Sequence, residues 1–197
     1  MFLIFKLNKL SINLFVALAI LLIISHACSE EVSNKKEIRK ELANFKGTKI
    51  IIPDNLVGRN YGNQILDSVL LCRPHKMIVF INQDGCTGCK MQELVPLYIF
   101  ILQTTQFTSL GVVIILNSSD IIATEKLIFQ KRFRYSVFYD LDGSFERLNP
   151  HLPKNERFHT FLLGENDEVL LVGNPALNIG LKKIYLNTLN KLQKRDW

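Results

Sequence analysis

The chain has 197 residues, of which 48% are hydrophobic and 21% charged, with only six prolines and ten glycines. This composition excludes a mainly disordered chain and a collagen-like one, and the length suits one packed domain with an appendage. The formal net charge is +6, and loss of an N-terminal segment that carries two lysines and no acid would leave +4. A charge of this size favours solubility and does not indicate a nucleic-acid-binding protein.

The N-terminal segment has the pattern of an export signal. Two lysines precede an apolar run of eleven residues, 14–24. A membrane-spanning helix needs about 20 apolar residues, so this run fits the apolar centre of a signal peptide. Ala27 followed by Cys28 resembles the end of a bacterial lipobox, in which the cysteine is lipidated and becomes the new N-terminus. We therefore predict a signal peptide over 1–27 and a lipid on Cys28. Cleavage near Ala27 without a lipid, or an uncut anchor, are the alternatives.

Residues 28–45 are predicted to form a charged tether that contains a short helix. Ser29, Glu30 and Glu31 resemble a surface-display signal that follows the lipidated cysteine in some Gram-negative phyla, and a solvated linker is the alternative. Every export alternative leads to an oxidising compartment. We predict a cell-envelope lipoprotein at the outer membrane, facing the periplasm or exposed at the surface.

Residues 46–197 alternate between strands and helices, which predicts one α/β domain with a largely parallel sheet covered by helices on both faces. Apolar and β-branched runs predict six strands, at 49–52, 76–82, 111–116, 136–139, 158–163 and 168–172. Apolar residues at helical spacing predict four helices, at 61–71, 89–102, 121–133 and 177–192. The last two strands form an antiparallel hairpin, so the sheet is mixed.

The apolar spacing also predicts which helix faces are buried. In the helix after Cys89 the buried positions are Met91, Leu94, Val95, Tyr98, Ile101 and Leu102. In the last helix they are Leu181, Ile184, Tyr185, Leu189 and Leu192. The helix at 121–133 has Ser119 or Asp120 as its N-cap.

The segment that carries chemistry is Cys86-x-x-Cys89, which separates a buried strand from a long helix. Unpaired backbone N–H groups and the helix dipole favour a thiolate at a helix N-terminus. Such a thiolate can attack a disulfide, and a second cysteine one turn further can resolve the mixed disulfide. The strand before the motif, the helix after it and the export signal make this pattern far more specific than the spacing alone.

Residues 46–192 resemble the thioredoxin-fold domain of the TlpA/ResA-like thiol-disulfide oxidoreductases, which are exported lipoproteins or membrane-tethered periplasmic proteins. The resemblance rests on the opening strand at 45–50, the active-site strand and motif at 79–90, and the closing hairpin at 158–175. It implies a thioredoxin-like fold, with Cys86 as nucleophile and Cys89 as resolving thiol. It also implies disulfide-bearing exported proteins as substrates and a separate upstream electron donor.

Several positions depart from that family. Gly85 stands where an aromatic residue usually precedes the first cysteine, and no proline separates the two cysteines. Phe80 and Gln92 occupy positions where many relatives carry an acid, although Glu93 follows directly. The largest departure, at position 159, puts generic thioredoxin substrate binding in doubt.

The residue before Thr160 is the largest departure. Thioredoxins place a cis-proline there, facing the disulfide, and this chain has His159. In one interpretation His159 is a polar neighbour of the active site that tunes the thiolate pKa. In another it joins Cys86 and Cys89 as a ligand of copper or zinc, because two cysteines and one histidine form a soft ligand set. We predict an exchange enzyme, and the alternative is a binding module whose cysteines hold a metal or form a structural disulfide.

The remaining cysteine of the domain, Cys72, is predicted to be a buried free thiol. The intervening strand spans roughly 20 Å, whereas a disulfide to Cys86 requires Cα atoms within about 7 Å. An intermolecular partner is the alternative. A peroxidase is a weaker hypothesis, because residues 83–85 lack the Thr- and Pro-containing motif that such enzymes carry before the reactive cysteine.

Overall fold

The computed structural model describes residues 34–65, 68–82 and 87–194, with the backbone alone described at 68 and 87–92. Backbone contacts divide the chain into two units, Met1–Ala43 and Asn44–Trp197. Residues 34–45 form helix α1, which includes all the described residues of the first unit. No helix among the described residues is long and apolar enough to cross a membrane. The predicted signal peptide and Cys28 lie outside the described residues.

The second unit is built on a seven-stranded sheet. Its strands are β1 Val57–Asn60, β2 Asn63–Gln64, β3 His75–Ile81, β4 Leu110–Asn117, β5 Val137–Asp140, β6 Thr160–Leu163 and β7 Val169–Val172. They lie in the order β2-β1-β5-β4-β3-β6-β7. Strands β3, β4 and β5 are mutually parallel, and all other neighbours are antiparallel. The sheet is therefore mixed, as predicted, but less parallel than the alternation of elements indicated.

The helices connect and cover these strands. They are α2 Ser68–Leu71, α3 Thr87–Thr104, α4 Ile121–Gln130, α5 Ser144–Leu148 and α6 Ile179–Gln193, with a 3-10 turn at Glu156–Phe158. Helix α4 begins after Asp120, whose side chain accepts a hydrogen bond from Ala123 N, so the predicted N-cap is confirmed. The predicted strand at 49–52 is wrong, because of its residues only Lys49 forms a β-bridge, to Glu168.

Two apolar clusters lie on opposite faces of the sheet, because successive side chains of a strand point to opposite sides. The α3-side cluster contains Met77, Val79, Ile81, Leu94, Leu97, Phe100, Ile128, Tyr185 and Leu189, among others. The Phe45-side cluster contains Phe45, Ile78, Phe80, Phe138, Phe145 and Phe161, among others. All seven residues of β3 are buried. The prediction of a central strand covered on both faces is confirmed.

The buried face of α3 differs from the predicted one. Leu94, Leu97, Phe100 and Ile101 are buried. Val95 and Leu102, which the pattern placed in the core, are 45% and 54% exposed. Apolar residues occur on every side of this helix, so their spacing does not determine its rotation, which is set by packing against the sheet. Ile184 of α6 was likewise expected to be buried and is half exposed.

The predicted helix at 61–71 is wrong over most of its length. Tyr61 and Gly62 form a two-residue turn that joins β1 to β2, with Asn60 paired to Asn63. Both turn residues have positive φ, 49° and 86°, which matches the twist that two-residue hairpins require. Strand β1 then pairs with β5, and the described part of the predicted helix is helical at Ser68–Leu71 alone. The helical spacing of the apolar residues did not reveal this non-local pairing.

Candidate active site

The carboxyl end of β3 and the amino end of α3 frame the candidate site. Strand β3 ends at Ile81 and helix α3 begins at Thr87. Cys86 lies outside the described residues. Cys89 is in the first turn of α3, and its side chain is outside the description too. The positions of both thiols therefore stay a prediction from the sequence.

A small cavity of about 20 Å³ lies beside this junction. Its walls come from β3, α3, β6 and the loops next to them, and are formed by Val79, Phe80, Ile81, Glu93, Leu94, Leu97, Glu156, Thr160 and Asn174. Two carboxyl groups and a hydroxyl are thus brought together near the start of α3. Glu156 and Asn174 were not singled out from the sequence, because nothing local distinguishes them and they lie far along the chain from the cysteines.

The backbone of His159 and Thr160 lies along the end of β3. Phe80 N donates a hydrogen bond of 2.9 Å to His159 O, and Val79 pairs with Thr160 across the antiparallel β3–β6 ladder. Strand β6 thereby brings both residues beside the strand that leads to the cysteines. Thr160 also lines the small cavity.

The His159 side chain is buried and held by specific contacts. Its Nε2 lies 2.7 Å from Pro153 O. A carbonyl oxygen only accepts hydrogen bonds, so Nε2–H must be the donor. The imidazole ring also packs 5.4 Å from the ring of Phe80, which belongs to the Phe45-side cluster. A neutral imidazole in this tautomer carries its lone pair on Nδ1, and a metal would have to bind there.

Polar side chains connect the carboxyl ends of β3 and β4 with helix α5 next to the site. Asn82 donates from Nδ2 to Glu146 Oε2 at 3.0 Å, and its Oδ1 accepts from Asn117 Nδ2 at 3.4 Å. These bonds tie the end of β3 to β4 and α5, immediately before the segment that contains Cys86. Within the described part of the chain, no group of three His, Cys, Asp or Glu side chains is placed to hold a metal ion.

Cys72 is free, as predicted, but exposed. It follows the last residue of α2 and precedes β3, so it lies at the end of β3 opposite the Cys-x-x-Cys motif. The expectation of a buried thiol is therefore wrong. The short helix α2 ends at Leu71, and the chain turns through exposed positions before entering the sheet.

Comparison with known proteins gives matches at the level of structure only. No protein-family model matches the sequence. No curated protein matches it either. A protein described as the thiol:disulfide interchange protein DsbE of Chlorobium tepidum superposes with a TM-score of 0.54 at 19% identity, covering 73% of this chain and 97% of that one.

Two further solved structures have a similar fold. One is described as a thiol-disulfide oxidoreductase of Bacteroides vulgatus, with a TM-score of 0.52, 11% identity and coverage of 68% of this chain and 86% of that one. The other is described as a protein disulfide isomerase of Bacteroides thetaiotaomicron, with a TM-score of 0.50, 15% identity and coverage of 76% and 94%. Together with the mixed sheet, these likenesses show that the chain has a thioredoxin-like fold.

Proposed function

We propose that this chain is a thiol-disulfide oxidoreductase that uses Cys86 and Cys89. The observation that carries the proposal is the place of the motif in the chain, where buried strand β3 of a thioredoxin-like sheet is followed by helix α3. A helix N-terminus lowers the pKa of a nearby thiol and so favours the nucleophilic thiolate. The solved structures of similar fold that are described as disulfide-exchange proteins support the same reading.

The proposed reaction is a pair of thiol-disulfide exchanges. The Cys86 thiolate attacks one sulfur of a substrate disulfide, forms a mixed disulfide and releases one substrate thiolate. The Cys89 thiolate then attacks the Cys86 sulfur, which releases the second substrate thiolate and leaves a Cys86–Cys89 disulfide. In this direction the substrate is reduced by two electrons, and a separate protein partner must return them to the cysteine pair. The reduction potential of the pair decides between this direction and its reverse.

The alternative is a binding module in which the two cysteines and His159 hold copper or zinc. The hydrogen bond from His159 Nε2–H to Pro153 O leaves Nδ1 as the ring nitrogen that could bind a metal, so the alternative requires Nδ1 to face the two cysteines. The packing of the ring on Phe80 further restricts its reorientation. In the proposed enzyme His159 belongs to the surroundings of the active site, and in the alternative its Nδ1 is the metal ligand.

The reduction potential of the cysteine pair tests this function. Residues 29–197 carrying Cys72→Ala are equilibrated in graded thiol buffers, and free thiols are counted by mass spectrometry. We expect a reversible two-electron transition between roughly −270 and −120 mV. A disulfide that resists reduction below about −300 mV, or a reduced pair that retains metal, would overturn the exchange function.

Two matched variants locate the reaction on individual thiols. Cys89→Ser should trap a stable mixed disulfide on Cys86 when it is offered a model disulfide peptide, because the resolving thiol is missing. Cys86→Ser should trap far less, since the proposed nucleophile is absent. Equal trapping by the two variants would contradict the assigned roles.

We also propose that the chain is exported and anchored through a lipid on Cys28. Three sequence features support this proposal. They are the short apolar run at 14–24, Ala27 directly before Cys28, and the charged residues that follow. The proposed location is the outer membrane, facing the periplasm or the cell surface. Incorporation of a labelled fatty acid into the wild-type chain but not into Cys28→Ser would support the anchor, and equal labelling of both would refute it.

A further inference from the structure

Three polar atoms are buried where the β1–β2 hairpin, helix α4 and strand β5 meet. They are Arg59 Nε, Glu125 Oε1 and Tyr139 OH, and none has a hydrogen-bond partner in the part of the chain that the structure describes. Tyr139 is completely buried, so its hydroxyl does not reach bulk solvent. Buried polar groups of this kind are costly unless something satisfies them.

The three atoms do not form hydrogen bonds with one another. Arg59 Nε lies 3.9 Å from Glu125 Oε1, which is close enough for an ion pair and too far for a hydrogen bond. Arg59 also donates a hydrogen bond from Nη1 to Gly62 O at 3.3 Å, within the hairpin turn. The guanidinium therefore stays near the carboxylate without contacting it directly.

All three residues line a cavity of about 10 Å³. Besides the three polar residues, its walls are Tyr61, Gly62, Ile128, Phe129 and Val137. A buried water needs about 10–15 Å³ and two to four polar partners. The cavity therefore has room for one water molecule and for no larger ligand, and the number of polar atoms around it matches that requirement.

We propose that this cavity binds one structural water molecule that bridges Arg59, Glu125 and Tyr139. The water accepts hydrogen bonds from Arg59 Nε–H and from the Tyr139 hydroxyl, and it donates one to Glu125 Oε1. Chloride could not donate to the carboxylate, and a metal cation would be repelled by the guanidinium. Water is a small species that can form a hydrogen bond with all three groups at once.

The protonation state of Tyr139 agrees with its role as a donor. Burial, with the nearby Glu125 carboxylate, raises the pKa of Tyr139 well above its ordinary value. A phenol is already protonated at neutral pH, and the raised pKa keeps the Tyr139 proton in place at alkaline pH as well. The water would connect β1, α4 and β5, and would fasten the hairpin to the rest of the sheet through a bridge in addition to its backbone pairing.

The direct test is a high-resolution crystal structure of the full chain, purified in a mild detergent. We expect a density peak within hydrogen-bond distance of all three polar atoms. A direct Arg59–Glu125 hydrogen bond that closes the cavity, or a cavity without density, would overturn the proposal.

The thermal unfolding midpoint of Tyr139→Phe gives an independent test with a definite sign. If the water bridges the site, the variant removes one of its three bonds and the midpoint falls. If the hydroxyl is unsatisfied, the variant removes a buried polar group without a partner and the midpoint rises or is unchanged, which would overturn the proposal. Tyr185→Phe is the matched control, because the buried Tyr185 hydroxyl donates directly to Gly173 O at 2.9 Å and its loss must lower the midpoint.

Discussion

At the scale of single residues, the Asn149 side chain forms hydrogen bonds with the backbone of Ile51 that a neighbouring strand would otherwise form. It is completely buried, and its Oδ1 accepts from Ile51 N at 2.8 Å while its Nδ2 donates to Ile51 O at 2.8 Å. The same Nδ2 also donates to Phe145 O at 2.7 Å. One amide thus satisfies the backbone of a segment that the sequence predicted to be a strand.

Asn149→Ala should lower the free energy of unfolding by about 1–3 kcal/mol, because backbone groups of Ile51 and Phe145 lose their partner. The change is measured by urea denaturation. Asn190→Ala is the control, because Asn190 is an exposed residue of α6 and its replacement should shift stability by less than about 0.5 kcal/mol. Equal losses in the two variants would contradict the role of the Asn149 amide.

The hydrogen bonds of the Asp142 carboxylate make the stability of the fold depend on pH. Hydrogen bonding to Ser144 is the largest cause that lowers the pKa of Asp142 from 3.8 to about 2, and the hydrogen bond from Arg147 lowers it further. Ser144 N donates to Asp142 Oδ1 at 3.1 Å. Arg147 Nη2 lies 3.1 Å from Asp142 Oδ2. A lowered pKa means that the folded state favours the ionised carboxylate, so the stabilisation is present above pH 4 and is lost as the pH falls toward 2.

The stability advantage of the wild type over Asp142→Asn should therefore be larger at pH 6 than at pH 2. Thermal unfolding midpoints of both proteins at the two pH values measure it. The Asp142 side chain is half exposed to solvent, so the difference should also shrink at high salt. An advantage that stays constant between pH 2 and pH 6 would refute this assignment.

At the scale of elements, the β1–β2 hairpin depends on its two turn residues. The Tyr61 ring packs 4.2 Å from the ring of Phe129 on α4, and the Arg134 guanidinium lies 5.1 Å from the centre of the Tyr61 ring. These contacts compensate for the positive φ of a tyrosine, which is unfavourable for a residue with a Cβ. Gly62 has the larger positive φ and sits against the same Phe129.

Gly62→Ala should lower the free energy of unfolding by more than Gly47→Ala does. Both glycines have left-handed backbone conformations, at φ 86° and 81°, so each substitution costs about 1–2 kcal/mol in backbone strain. A Cβ on Gly62 would lie 3.2 Å from Phe129 Cζ, whereas a Cβ on Gly47 meets nothing within 4 Å. Chemical denaturation of both variants measures the difference, and equal losses would show that the turn does not pack on α4 as described.

Helix α3 shows how much of an element can be predicted from its own residues. Its existence and its approximate ends follow from the apolar spacing after Cys89. Its rotation does not, because Val95, Ile99 and Leu102 form a second apolar stripe on the solvent side. Because both stripes are apolar, the sequence of the helix does not determine which one is buried. Packing against the sheet does.

At the scale of the whole molecule, strands β3 and β4 connect the two apolar clusters. Val112, Ile114 and Leu116 of β4 lie in the α3-side cluster, and Val113 and Ile115 lie in the Phe45-side cluster. Both clusters are built on the same strands. If β3 and β4 unfold, side chains are withdrawn from both clusters at once. The unit Asn44–Trp197 should therefore unfold in one cooperative transition.

Leu97→Ala and Phe161→Ala test this on opposite faces. Leu97 belongs to the α3-side cluster and Phe161 to the Phe45-side cluster, and both are buried. Each should lower the free energy of unfolding by about 2–5 kcal/mol, while far-UV and near-UV circular dichroism still report a single coincident transition. The exposed control Val95→Ala should change stability by less than about 1 kcal/mol. Two separate transitions in either core variant would contradict the shared core.

The sequence by itself determined the α/β class, the buried strands β3 and β4, the closing β6–β7 hairpin and the place of the Cys86-x-x-Cys89 motif at the junction of a strand and a helix. These features are encoded by contiguous residues, since a fully apolar run or a turn signal acts locally. Only the tertiary structure decided the rotation of α3, the β1–β2 hairpin and the surroundings of His159. Each of these depends on a distant partner, such as the sheet for α3, β5 for β1 and Pro153 for His159. Local spacing carries no information about those partners, because packing between remote segments chooses among conformations that are equally good locally.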